Sequence, residues 1–142
     1  MSGNERFDGR CLCGAVGVSV LAENRHVDAC HCSMCRKWGG GPLFVLDGIT
    51  EARFDGEADI TVYASSDWAE RGFCRHCGTH LFYRLKAGGE CAVPVDLIDG
   101  DAEWALVRQI FVEEQPAHYR IANDTPRLTG AEVFAQYSAD PG

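Results

Sequence analysis

Val16, Val18 and Val20 alternate with Gly17 and Ser19, the two-residue period of a strand with one buried face. Phe7 to Ala22 therefore reads as a strand or tight hairpin turning through Cys11-Leu12-Cys13-Gly14. Leu43 to Leu46, Ala52 to Phe54 and Ile60 to Ala64 are further short apolar runs, set apart by the turn dipeptides Asp47-Gly48 and Asp55-Gly56. Thr79 to Leu85 and Glu90 to Ile98 continue the extended pattern. In the second of these, Cys91, Val93, Val95 and Leu97 fall on one face, which makes Cys91 a core residue rather than a ligand. Asp101 to Glu114 carries Trp104, Leu106, Val107, Ile110, Phe111 and Val112 at a spacing that fits neither period, and is read as mixed. Thr129-Gly130-Ala131-Glu132 is a capping-box pattern, with Val133, Phe134 and Tyr137 as the apolar stripe of a short closing helix, and Ser138 to Gly142 are expected to fray. The fold class expected is β-rich, with short strands in small sheets and a short C-terminal helix.

Length and composition add bounds. A chain of 142 residues with 46% apolar content is expected to form a single domain over 1–142, with its core at about 7–137. No apolar run reaches the length needed to cross a bilayer, and Met1-Ser2-Gly3-Asn4-Glu5-Arg6 lacks the basic and apolar regions of a secretory signal, so the expected compartment is the cytosol. The formal charge of −8, with no basic stripe carrying interleaved aromatics, disfavours nucleic acid as a partner. Homo-oligomerisation is left open.

The cysteines change the picture most. In a reducing compartment the eight of them require metal, redox chemistry or burial, and a chain of this length needs no disulfide scaffold. Cys11-Leu12-Cys13-Gly14 and Cys74-Arg75-His76-Cys77-Gly78 each end in glycine, as two zinc knuckles facing one another across a tetrahedral site require. Closing the long loop between Cys13 and Cys74 costs roughly 4 kcal/mol of chain entropy, against about 10 to 16 kcal/mol from a structural zinc. Cys11, Cys13, Cys74 and Cys77 are therefore read as a closed structural site.

Cys30-His31-Cys32-Ser33-Met34-Cys35-Arg36-Lys37 is different in kind. In an extended stretch Cys30 and Cys32 share a face, and a turn through Ser33 and Met34 brings Cys35 round to them. Three ligands from one short run leave a tetrahedral metal with its fourth position open, the arrangement of a catalytic site. Trp38, Gly39, Gly40 and Gly41 follow, giving backbone that a ligand can approach beside aromatic surface, and Arg36 and Lys37 add positive charge. His31 and His76, each enclosed by cysteines, are expected to point away from the metals, while His26, His80 and His118 carry no spacing signal.

The order Cys-x-Cys-Gly, Cys-His-Cys-x-x-Cys-Arg-Lys and Arg-x-Phe-Cys-x-x-Cys-Gly resembles the glutathione-dependent formaldehyde-activating enzyme family, which also includes centromere protein V. The resemblance extends over about residues 7 to 130, through Ile110-Phe111-Val112 and Asp124-Thr125-Pro126, and one departure is His118, where related sequences often have tryptophan. It implies a fold similar to that of methionine sulfoxide reductase B, a structural zinc on Cys11, Cys13, Cys74 and Cys77, and a catalytic zinc on Cys30, Cys32 and Cys35. It further implies a zinc-dependent carbon–sulfur lyase-type activity on a glutathione-like thiol adduct of a small aldehyde, with glutathione as co-substrate. Arg36, Lys37, Trp38, Gly39, Gly40 and Arg71 are then the groups expected around the ligand, the cations gripping its carboxylates. Two readings from other classes stand beside it: a non-catalytic structural zinc module, and a zinc-buffering or redox protein whose three thiols are oxidised in use.

Overall fold

The structure, a computed structural model, describes residues 4–88 and 91–139, the last three by backbone alone. Along the chain run β1 (Glu5–Arg10), β2 (Gly17–Ala22), β3 (His26–Cys30), the helix α1 (Ser33–Gly39), β4 (Leu43–Leu46), β5 (Ile49–Asp55), β6 (Ile60–Ala64), β7 (Ala69–Cys74), β8 (His80–Leu85), β9 (Cys91–Ala92), β10 (Ala105–Ile110), β11 (Arg127–Leu128) and the helix α2 (Gly130–Ala139). The β-rich architecture with a short C-terminal helix agrees with the pattern of the sequence. Two compact units result: one takes the chain up to Arg25 together with Val45–Glu103, the other His26–Phe44 and the chain from Trp104 onward.

The first unit holds two antiparallel sheets. The valine alternation forms β2, which pairs with β1 from Glu5↔Ala22 to Arg10↔Gly17 and with β5 on its other side. Val16, Val18, Val20 and Ala22 are all buried, as the period requires. The second sheet has the order β6-β7-β8-β9. Phe82 on β8 is buried, with its ring centroid 5.2 Å from that of Phe54 on β5, which joins the cores of the two sheets. Gly72 lies opposite Phe82 in the register, and any side chain there would collide with the Phe82 ring.

Glu90 to Ile98 departs from the expected single strand. Within the described residues the strand is confined to Cys91–Ala92, Pro94 and Ile98 make isolated bridges, and a 3-10 turn occupies Val95–Leu97. Pro94 has no N–H to give a ladder and turns the chain, so Cys91, Val93, Val95 and Leu97 do not share a strand face. Val93 and Leu97 are buried nonetheless. Burial pushes the half-buried Cys91 thiol up to about 11, the state of an inert cysteine, and it joins neither cysteine cluster. The segment closes on β1: Gly9 bridges Ile98, and a Cβ at Gly9 would run into the Leu97 carbonyl oxygen. Backbone cannot swing aside as a side chain can, so Gly9→Ala should cost about 1 to 3 kcal/mol in a denaturant titration. A variant as stable as the parent would show that this approach is not required.

The second unit is built on the sheet β11-β10-β3-β4, in which β10 runs parallel to both β3 and β11. Val27, Asp28, Ala29 and Cys30 of β3 are all buried, and Arg108 of β10 meets Asp28 at 2.5 Å. The stretch that fits neither period resolves into β10 followed by a 3-10 turn at Val112–Glu114. Phe111 between them has φ 57°, the one positive value among the described non-glycine residues. That turn presents two consecutive carboxylates: Glu113 accepts the Gly130 N–H at 3.0 Å at the start of α2, and Glu114 accepts the Ser33 N–H at 2.9 Å at the start of α1.

The capping box forms as expected, with Thr129 Oγ1 accepting the Glu132 N–H at 3.1 Å and Glu132 Oε1 accepting the Thr129 N–H at 2.8 Å. Of the expected stripe, Val133 is buried, whereas Phe134 is 57% exposed and meets Phe111 edge-on at 5.9 Å. The side chain of Tyr137 and the residues 140–142, where fraying was expected, lie outside the described residues, while α2 itself continues through Ser138 to Ala139.

Candidate functional site

The knuckle cysteines converge. Cys11, Cys13, Cys74 and Cys77 bring their sulfurs within 4.8 Å of one another, with Cys11 to Cys13 and Cys13 to Cys74 both at 3.7 Å. Four sulfurs about 2.3 Å from a tetrahedral zinc stand about 3.8 Å apart, so the donor set fits the ion that the sequence implies. Gly14 at φ 83° and Gly78 at φ 77° have open space where a Cβ would be, so glycine is needed at both for its left-handed backbone. Those turns aim N–H groups at sulfur: Val16 donates to Cys11 Sγ at 3.3 Å and His76 to Cys74 Sγ at 3.4 Å.

Thr79 ties the knuckles together. Its hydroxyl accepts the Leu12 N–H at 3.1 Å and lies 3.1 Å from Cys77 Sγ, to which it donates. That hydrogen bond, with the Thr79 N–H, lowers the Cys77 thiol to about 5. At Cys13 the Ala15 N–H favours the thiolate, but burial and the sulfurs of Cys11, Cys74 and Cys77 outweigh it and push the thiol up to about 12. A cation among the four sulfurs would offset that mutual repulsion. His76 points outward to Asp59, its Nε2 2.8 Å from Oδ1, as expected for a residue between ligands.

The run Cys30 to Cys35 also converges, its three sulfurs within 4.8 Å of one another. The route differs from an extended stretch followed by a turn: Cys30 ends β3, Cys32 is the N-cap of α1, and Cys35 lies in the first helical turn. Cys32 Sγ accepts the Cys35 N–H at 3.3 Å, doing what serine does at other caps. The neighbouring Cys32 and Cys35 thiols, and then burial, push the Cys30 thiol far up. Among the described residues no fourth histidine, cysteine or carboxylate joins the three.

The other expected site residues fall as follows. Arg36, Lys37 and Trp38 lie on α1 with Gly39 as its last residue, and Gly40 at φ 84° is its left-handed C-cap. Arg36 Nε donates to the His31 carbonyl at 2.9 Å, and Lys37 is exposed. Arg71 belongs to the first unit, where it is buried on β7 with its guanidinium 5.0 Å from the centroid of Tyr83. His118 packs edge-on against Tyr119.

What the sequence did not reveal is the support behind the cysteines. His31 is fully buried with its ring stacked on Tyr119, Nδ1 2.6 Å from the Tyr119 hydroxyl and Nε2 2.9 Å from Gln109 Oε1. Burial lowers its basicity and holds the imidazole neutral. Gln109, buried on β10, also receives Arg127, whose other nitrogen bonds Gln115, and Gln115 bonds the Tyr119 carbonyl. A glutamine at an inward position of a strand was the one local signal.

A β-rich chain with one set of four converging thiols and another of three defines a small protein of the cysteine-cluster class, with two donor sets that could hold metal. The model of the glutathione-dependent formaldehyde-activating enzymes matches residues 6–114. An uncharacterized lyase of Schizosaccharomyces pombe is 30% identical over 129 residues, covering 90% of this chain and 94% of that protein. The crystal structure of a Rhodobacter sphaeroides protein superposes with a TM-score of 0.56 at 28% identity, covering 67% of this chain and 90% of that one. The chain belongs to the glutathione-dependent formaldehyde-activating enzyme family.

Proposed function

We propose that this protein is a zinc-dependent enzyme of the carbon–sulfur lyase type, acting on the adduct of a glutathione-like thiol with a small aldehyde. The observation that carries the reading is the convergence of Cys30, Cys32 and Cys35 with no fourth side-chain donor among the described residues. A zinc ion on these cysteines supplies thiol activation, because a thiol reaching its remaining position is deprotonated at neutral pH.

The chain's own residues then bind and orient. The left-handed Gly40 and the adjoining Gly39 and Gly41 have open space at their Cβ positions, so a peptide-like thiol can approach their backbone closely. Trp38 offers apolar surface next to it. Lys37, exposed on α1, and the terminal nitrogens of Arg36 are the cations assigned to the ligand's carboxylates. Cys11, Cys13, Cys74 and Cys77 hold a second, structural zinc and take no part in turnover.

The test is metal content with and without glutathione, alongside turnover on a panel of thiol–aldehyde adducts. Protein prepared under reducing conditions should bind up to two zinc ions of unequal affinity, and the thiol should perturb one of them. Zinc-free protein, or two ions both indifferent to thiol, would end the enzyme reading.

A further inference from the structure

We infer that the buried His31 is the positioning residue of the three-cysteine site, the fixed point from which Cys30, Cys32 and Cys35 are aimed at one ion. The inference rests on the reading above that this cluster holds a metal.

Every polar atom of His31 is bonded. Its N–H donates to the Ile110 carbonyl at 3.1 Å, and its carbonyl accepts Arg36 Nε at 2.9 Å. Nδ1 and Nε2 meet Tyr119 and Gln109 at 2.6 and 2.9 Å. The bond directions follow from the outer partners. The Thr125 hydroxyl donates to the Pro126 carbonyl, so its oxygen accepts from Gln109 Nε2 at 3.1 Å, which orients the amide. Gln109 Oε1 is then the acceptor of both Arg127 and His31, the proton of the imidazole sits on Nε2, and the Tyr119 hydroxyl donates to Nδ1. Through Arg127, Gln115 and the Tyr119 carbonyl the hydrogen bonds close into a ring, so no member turns without breaking its neighbours.

The position of His31 in the chain gives this ring its consequence. Where the chain leaves β3, successive side chains point to opposite sides, so pinning His31 on one side puts Cys30 and Cys32 on the other. Cys35 is tied to the same residue through its neighbour Arg36, whose side chain returns to the His31 carbonyl. A buried histidine of any role needs partners for its ring nitrogens; what is particular to this one is that its own carbonyl also receives Arg36, the neighbour of Cys35. His31 has no exposed surface, both its nitrogens are taken by Tyr119 and Gln109, and it is not grouped with the three sulfurs, so it acts through the cysteines and not on a substrate.

Cobalt(II) titration of the reduced apoprotein tests this, followed by thiolate-to-metal charge-transfer absorption with chelator competition for affinity. The three-cysteine signal is identified as the one missing in Cys32→Ser. His31→Phe, which keeps a ring and loses both nitrogens, should weaken that signal's site by about 10- to 100-fold while the four-cysteine site keeps its affinity. Tyr119→Phe, which keeps the stacked ring and loses one bond, should weaken it less and shift its ligand-field band. An unchanged second affinity in His31→Phe overturns the inference. If His31→Phe loses both metals together, Tyr119→Phe decides: selective loss at the three-cysteine site upholds the role and unchanged affinity removes it. A parent protein with no cobalt at the three-cysteine site fails the functional reading itself, before any substitution is made, and the inference with it.

Discussion

Cys74→Ser should be recovered with a melting temperature lowered by tens of degrees, or not as soluble protein at all. Cys74 is fully buried at the end of β7, its sulfur 3.7 Å from that of Cys13 on the β1–β2 connection, so the substitution opens a cluster that joins distant parts of the first unit. A structural zinc contributes about 10 to 16 kcal/mol, against a total domain stability of about 5 to 15 kcal/mol. Removing a ligand therefore removes more than the fold can spare. The buried serine hydroxyl adds a desolvation penalty in place of a thiolate. Thermal unfolding by circular dichroism with zinc stoichiometry checks this, and an unchanged melting temperature would take these cysteines out of the folding account.

Cys32→Ser should do the opposite: thiol-dependent turnover falls to background while stability changes by less than about 1 kcal/mol, a shift of about 4 °C. Cys30 to Cys35 span a single strand-to-helix junction, so a metal there would close only a short loop and stabilise little. Serine is also a preferred N-cap, and its hydroxyl can take over the hydrogen bond from the Cys35 N–H. Cap and helix survive while the site loses a soft ligand. Melting temperature, zinc content and turnover for Cys32→Ser beside Cys13→Ser separate the cases. Unfolding like Cys13→Ser would favour a structural zinc module, and full activity would exclude the run from the mechanism.

The two cysteine groupings and the early strands were legible in the sequence because knuckle spacing and period-two alternation are local signals. Gly14 and Gly78 announce their turns, Asp55-Gly56 ends β5, and the Thr129 capping box forms as written. The start of α1 was hidden because cysteine is not a familiar N-cap, so Cys35 reads as part of a turn when it belongs to a helix. Pro94 breaks the alternation of Cys91, Val93, Val95 and Leu97 because it has no N–H to give a ladder, which the period of the apolar positions alone does not register. The support of His31 was invisible for another reason. Its partners Gln109 and Tyr119 lie 78 and 88 residues away, and only the parallel pairing of β10 with β3 brings Gln109 to it. No periodicity records a pairing of that range.

The tandem Glu113 and Glu114 serve two helices from adjacent positions, and the left-handed Phe111 sets the phase of the turn that separates them. The segment is therefore constrained in length more than in composition. Losing or gaining one residue between Ile110 and Gln115 would move each carboxylate to its neighbour's place and leave one helix start without its acceptor. Aspartate in place of either glutamate would keep the charge but not the reach. Across relatives, insertions should accumulate elsewhere in the chain and stop at this turn. Its count of residues, read from end to end, works as a ruler between β10 and the helix that carries Cys35.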